Sequence, residues 1–219
     1  MTVGIFVSFI GCNWKNENVE NLIKKFEKKN NINFGKVQKE AIEGAFENGI
    51  EIITGGPGTG KTTIIKCIID IFEKCGFSVA LGAPTGRAAK RMSESTGREA
   101  NTIHRMLEMG IRDDKDFALF LEDETILKAD VIIIDEASMI DVIVMNSLLK
   151  AIKSGTRFII VGDIDQLPSV GPGNVLRDLI ESDFTKVVRL DEIYRQGKES
   201  MIVINAHKIN KGEMPILND

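Results

Sequence analysis

Short Ile- and Val-rich runs alternate with helical periods along most of the chain, and this alternation predicts an α/β fold on a mainly parallel sheet. The apolar runs are nearly continuous, which suits strands buried on both faces. Pro57, Pro84, Pro168 and Pro172 fall just after these runs, where open α/β sheets place their ligand-binding loops.

Each element has its own signal. Residues 19–30 carry Val19, Leu22, Ile23 and Phe26 at helical spacing. Lys24, Lys25, Lys28 and Lys29 lie outward and read as a solvated face. A second helix is predicted over 36–48, ended near Gly49. Strands follow at 50–54, 79–83, 131–135, 158–162 and 187–190. Helices are predicted between them at 61–75, 86–97, 101–109, 140–152 and 173–182, with right-handed crossovers. A final helix over 198–211 stops at Asn210-Lys211-Gly212. The expected division is an N-terminal extension over 1–35, one domain over 36–212, and the start of a linker over 213–219. No role is assigned to residues 1–18.

Composition narrows the function classes. With 219 residues, 43% hydrophobic and 27% charged, the chain is globular and long enough for a full core. The net charge of −4 excludes a generally basic coat, so any polyanion must meet a local patch. Aromatics make 6%, with Trp14 the single tryptophan, which argues against an aromatic platform. Cys12, Cys67 and Cys75 form no CxxC pair and suggest neither disulfides nor zinc, so a reducing cytoplasm is expected. The apolar stretch at 3–12 is too short to span a bilayer.

The strongest motif is residues 55–62, Gly-Gly-Pro-Gly-Thr-Gly-Lys-Thr, which fits the phosphate-loop pattern G-x-x-x-x-G-K-[ST] between a strand and a helix. Gly55, Gly56, Gly58 and Gly60 allow positive φ and let N–H groups converge on an anion at the helix N-terminus. Lys61 is expected to reach the β- and γ-phosphates, and the Thr62 hydroxyl to ligate Mg²⁺. The run at 131–136 ends in Asp135-Glu136. Charges at a strand's carboxyl end avoid burial inside the sheet. Asp135 is expected to hold Mg²⁺ through water, and Glu136 to polarise an attacking water. Gln166, beyond the next strand, is the candidate contact for a γ-phosphate. In Thr85-Gly86-Arg87, Thr85 and the backbone at Gly86 suit a backbone phosphate. Arg87, Lys90 and Arg91 share one helix face. His104 and Arg105 come soon after. This is the local basic concentration of an acidic chain.

In order, residues 55–63, 83–92, 102–107, 135–139, 161–176 and 190–196 resemble the motifs of superfamily-1 DNA helicases, specifically the RecD-like branch. The strings GGPGTGKTT, APTGRAAKRM and VGDIDQLPSVGPG carry the resemblance. It implies a RecA-like P-loop NTPase fold, with ATP and Mg²⁺ bound by Gly56, Pro57, Gly58, Thr59, Gly60, Lys61, Thr62 and Thr63. By the same resemblance Gln38 is the glutamine that reads adenine, and Arg195 contacts the γ-phosphate. Lys61, Glu136, Gln166 and Arg195 are the implied catalytic set. Thr85, Gly86, Arg87 and His104 are the implied single-stranded DNA contacts. Helicases of this class use two RecA-like lobes. Nothing after Arg195 resembles the second, so the first lobe alone is expected, with a second lobe as partner. The alternative is a P-loop switch or nucleotide-gated protein-binding module without a DNA role. A guanine-reading N-K-x-D is absent from the sequence.

Overall fold

The computed structural model describes residues 18–108, 126–192 and 201–216. Helix α1 (Val19–Asn30) starts at Asn18, whose side chain accepts the Glu20 N–H, and ends at Asn31 in left-handed backbone. Helix α2 (Lys36–Glu47) follows. Strand β1 (Ile50–Gly55) then leads into α3 (Lys61–Lys74), and β2 (Val79–Ala83) into α4 (Gly86–Thr96). Strand β3 (Ala100–Thr102) is followed directly by the short helix α5 (Ile103–Met106). Next come β4 (Val131–Ile134), a 3-10 turn over Ala137–Met139, and α6 (Val142–Ala151). The described chain closes with β5 (Arg157–Gly162), α7 (Val175–Glu181), β6 (Lys186–Leu190) and α8 (Met201–Asn210).

The strands form one six-stranded sheet in the order β3-β2-β4-β5-β1-β6. Every pairing is parallel. Successive strand side chains point to opposite faces, so an all-apolar strand supplies two cores at once. Ile53, Ile133, Ile159 and Val188 join α1, α2 and α3 in one core. Ile52, Ile132, Ile134 and Ile160 join α5, α6 and α7 in the other. Each fully buried Ile stabilises the fold by about 1.5–3 kcal/mol relative to exposure. Leu22, Ile23 and Phe26 of α1 lie within the first core, and Phe26 stacks on Phe34.

The parallel α/β fold is as the sequence predicts. Three local expectations change. Residues 101–109 were expected to be helical, but residues 100–102 form the edge strand β3. Its polar Asn101 and Thr102 give no apolar run. Pairing with β2 and a Ser93 hydroxyl that accepts the Ala100 N–H hold it. The helix expected from 140 starts at Val142, because Asp141 accepts the Val144 N–H at 2.8 Å and caps it. The helix expected from 173 starts at Val175.

Candidate functional site

Strands β4, β5 and β1 are neighbours, so their carboxyl ends bring three loops to one place. After β1, the chain turns through Gly58 and Gly60, at φ 78° and 90°, into α3. Gly60 caps α3 without any side-chain bond, so the first N–H groups of the helix are left to the loop. Of the loop's four glycines, which all allow positive φ, Gly58 and Gly60 use it and Gly55 and Gly56 do not. Gly55 is needed for space instead: a Cβ there would lie 2.7 Å from the Leu190 carbonyl oxygen and 2.9 Å from Thr59 Oγ1. Fully buried Thr59 donates its hydroxyl to the Gly56 carbonyl at 2.8 Å, which closes the loop.

Lys61 Nζ donates to the carbonyls of Gly55 and Gly56. Burial holds the Lys61 ammonium below its usual range, and the carboxylates of Asp163, Asp135 and Glu136 oppose that shift. Thr62 is exposed and Thr63 half-buried in the first turn of α3. Pro57 is exposed at the loop tip.

Asp135 and Glu136 follow β4, and the charges of both act on Lys61. Burial pushes the Asp135 carboxyl up to about 6; the Glu136 N–H and Lys61 pull it down, while the Glu136 charge adds to the rise. Asp135 Oδ1 accepts the Glu136 N–H at 2.8 Å. Glu136 sits at φ 55°, a left-handed conformation that costs a non-glycine residue free energy. This conformation turns the chain sharply straight after the strand. A carboxyl raised by desolvation at the end of β4 and an exposed threonine hydroxyl at the start of α3 are oxygen donors of the kind a hard divalent cation takes.

Beyond β5, Asp163 is 3% exposed. Its Oδ1 accepts the Asp165 N–H at 3.0 Å, and the exposed Gln166 donates Nε2 to Oδ2 at 3.5 Å. Sequence reading gave Asp163 no role. The available signal was the one that found Asp135, an acid at the carboxyl end of an apolar strand.

Gln38 is 4% exposed. Its Oε1 accepts the Gly35 N–H at the start of α2, and its Nε2 donates to the Thr59 carbonyl, both at 3.0 Å. The glutamine thus ties α2 to the phosphate loop. Arg195 lies outside the described residues.

A second group forms at the β2–β3 edge. Parallel pairing sets Ala83 against Thr102, so the loops that follow lie side by side. Thr85 caps α4 by accepting the Ala88 N–H, and Thr102 caps α5 by accepting the Arg105 N–H. Gly86, Arg87, Lys90, Arg91, His104 and Arg105 are exposed. Lys90 lies 3.9 Å from Glu94, a surface pair of little energetic weight.

A family model described as an AAA domain matches residues 38–172. An ATP-dependent RecD2 DNA helicase of Deinococcus radiodurans is 41% identical over 168 residues, which cover 77% of this chain and 22% of that protein. The RecBCD enzyme subunit RecD of Mycobacterium tuberculosis (strain H37Rv) is 35% identical over 204 residues, covering 80% of this chain and 35% of that protein. The chain thus spans only a minor part of the curated relatives it matches. A Pif1 helicase structure from Candida albicans superposes with TM-score 0.62 at 23% identity, covering 84% of this chain and 45% of that one. A Bacteroides Pif1 bound to ssDNA gives TM-score 0.57 at 21% identity, covering 84% and 47%. At these identities the structures speak for the fold. Among the described residues, no helix is long and apolar enough to cross a membrane.

Proposed function

The chain belongs to the AAA domain family, in its RecD-like helicase branch, and we propose from that premise that it is the ATP-driven first motor lobe of a DNA helicase. The observation that carries this reading is the convergence of Lys61, Asp135, Glu136 and Asp163 at the carboxyl ends of β1, β4 and β5. A phosphate loop alone fits many nucleotide-binding proteins. A phosphate loop facing an acidic strand end, with a glutamine on the next loop, fits one that hydrolyses its nucleotide.

In this reading the N–H groups at the start of α3 and the Lys61 ammonium bind the phosphates of ATP. Thr62 and Asp135 hold Mg²⁺, which supplies positive charge against the phosphate oxygens. Glu136 orients the attacking water and takes its proton. Gln166 and Arg195 contact the γ-phosphate. Gln38 keeps one amide hydrogen and one lone pair beyond its two bonds, which suits an adenine edge. Thr85, Gly86, Arg87 and His104 form one strip for the backbone of single-stranded DNA. A second RecA-like lobe would complete the ATP site and convert hydrolysis into movement along the strand. Residues 36–212 are the motor lobe in this reading, with α1 packed into its core. A motor of this kind would act in the cytoplasm.

The test is a titration of labelled oligo-dT by fluorescence anisotropy, with and without a non-hydrolysable ATP analogue, over a range of salt. Binding should weaken as salt rises, because phosphate contacts release counterions. It should also differ between the two nucleotide conditions. A chain that binds the analogue yet ignores the oligonucleotide at low salt would return the assignment to a nucleotide switch.

A further inference from the structure

Helix α8 contributes no buried side chain among its described residues, and Ile202 and Ile209 are 83% and 59% exposed. Elements with so little burial open at low free-energy cost, so one polar contact can bias where they rest. Asn210, at the end of α8, donates Nδ2 to Asp165 Oδ2 at 3.1 Å. Asp165 lies between Asp163 and Gln166 in the loop after β5. Its N–H is held by Asp163 Oδ1, and the neighbouring Gln166 side chain is held by Asp163 Oδ2. Asp163 is the acid with the strongest pull on the Lys61 ammonium. Hydrogen bonds therefore run from Asp163 through Asp165 to Asn210 on α8, and Asp163 acts on Lys61 of the phosphate loop through its charge. Asn205 extends it. Its Oδ1 accepts the Ile216 N–H at 2.8 Å and its Nδ2 donates to the Ile216 carbonyl at 2.9 Å, so residue 216 rides with the helix.

We infer that Asp165 and Asn210 are positioning residues that make the seating of α8 depend on the nucleotide held at the phosphate loop. This rests on the ATP reading above and adds a regulated element to that site. A ligand that draws Gln166 away frees Asp163 Oδ2, and Asp165 moves with it. Coupling through one solvent-exposed hydrogen bond is modest, on the order of two- to tenfold.

Hydrogen exchange of the α8 peptide in the whole chain reads this directly. Exchange in α8 should differ by roughly two- to tenfold between saturating ADP and saturating non-hydrolysable ATP analogue. Asn210→Ala should remove that difference. It should also narrow the ratio of affinities for the two nucleotides by the same factor, since linkage is reciprocal. Asn210→Asp sets two carboxylates against each other and should speed α8 exchange in both states. Adding Asp165→Asn to it restores a donor–acceptor pair of reversed direction and should bring the nucleotide response back. A fluorescent nucleotide titration separates the two ideas. No binding in the parent chain overturns the phosphate-loop reading and the inference with it. Binding with unchanged α8 exchange, or a full response in Asn210→Ala, overturns the inference alone.

Discussion

Lys61 sits where attraction and desolvation oppose each other. Burial disfavours its charge, and three acids favour it. A phosphate anion would add to the favourable side, so Lys61→Ala is expected to weaken ATP binding by at least about tenfold, as read with a fluorescent analogue. An unchanged Kd would remove Lys61 from the phosphate site. Glu136→Gln keeps the shape and removes the proton acceptor. Binding should persist while single-turnover hydrolysis falls by about 10²–10⁴-fold; turnover at the parent rate would assign the water to another group. Glu51 is a different case. It is 1% exposed on β1, and neither carboxyl oxygen has a hydrogen-bond partner. Burial pushes its pKa from 4.5 up to about 8, against the nearby Lys186, with Glu40 and Glu47 adding to the rise. Between those values the folded chain keeps a proton that the unfolded chain has lost. Stability should therefore fall as pH rises through that window, by up to about 1.4 kcal/mol per unit. Urea melts at a series of pH values should show that slope in the parent and a shallower one in Glu51→Gln. Parallel slopes would place the titration elsewhere.

At the scale of elements, caps decide where the site's helices begin. Thr85 fixes the first turn of α4, and with it the direction of Arg87, Lys90 and Arg91. Thr85→Ala should cost about 1 kcal/mol in urea denaturation and weaken oligo-dT binding at the same time. Loss of neither would mean that the cap hydrogen bond is replaced by water. Helix α3 shows the opposite design. Gly60 brings no capping side chain, so its N-terminal dipole is left for a ligand. The 3-10 turn after Glu136 is a third device. Left-handed backbone at Glu136 bends the chain sharply, so the two acids do not continue the strand's alternation.

For the whole molecule, the sheet order brings the chemistry together. The phosphate loop, the acidic pair and the Gln166 loop come from β1, β4 and β5, far apart in the chain and adjacent in space. The basic strip follows β2 and β3 on the same carboxyl side, toward one edge. A ligand at such a junction is bound by the fold and not by the unfolded chain. Saturating Mg·ATP at about 100 times its Kd should therefore add about 2.7 kcal/mol, a rise of roughly 5–10 °C in Tm. Chelating Mg²⁺ with EDTA should reverse most of it. A Tm that ignores Mg·ATP would count against a preformed site.

Much of this was legible from residues alone. Nearly continuous apolar runs marked β1, β2, β4, β5 and β6. Strand–loop–helix context marked the phosphate loop, and the strand end marked Asp135 and Glu136. These signals are local, so the sequence by itself determined them. Strand β3 was invisible, because an edge strand of three polar-leaning residues exists through its partner and through Ser93. The role of Gly55 depended on Leu190, distant in the chain. The place of Asp163 beside Lys61, the bracing of the loop by Gln38 and the reach of Asn210 to Asp165 were decided by the tertiary structure. Spacing along a chain reports which face a side chain takes. Only the packing of separate strands and helices decides which side chains meet there.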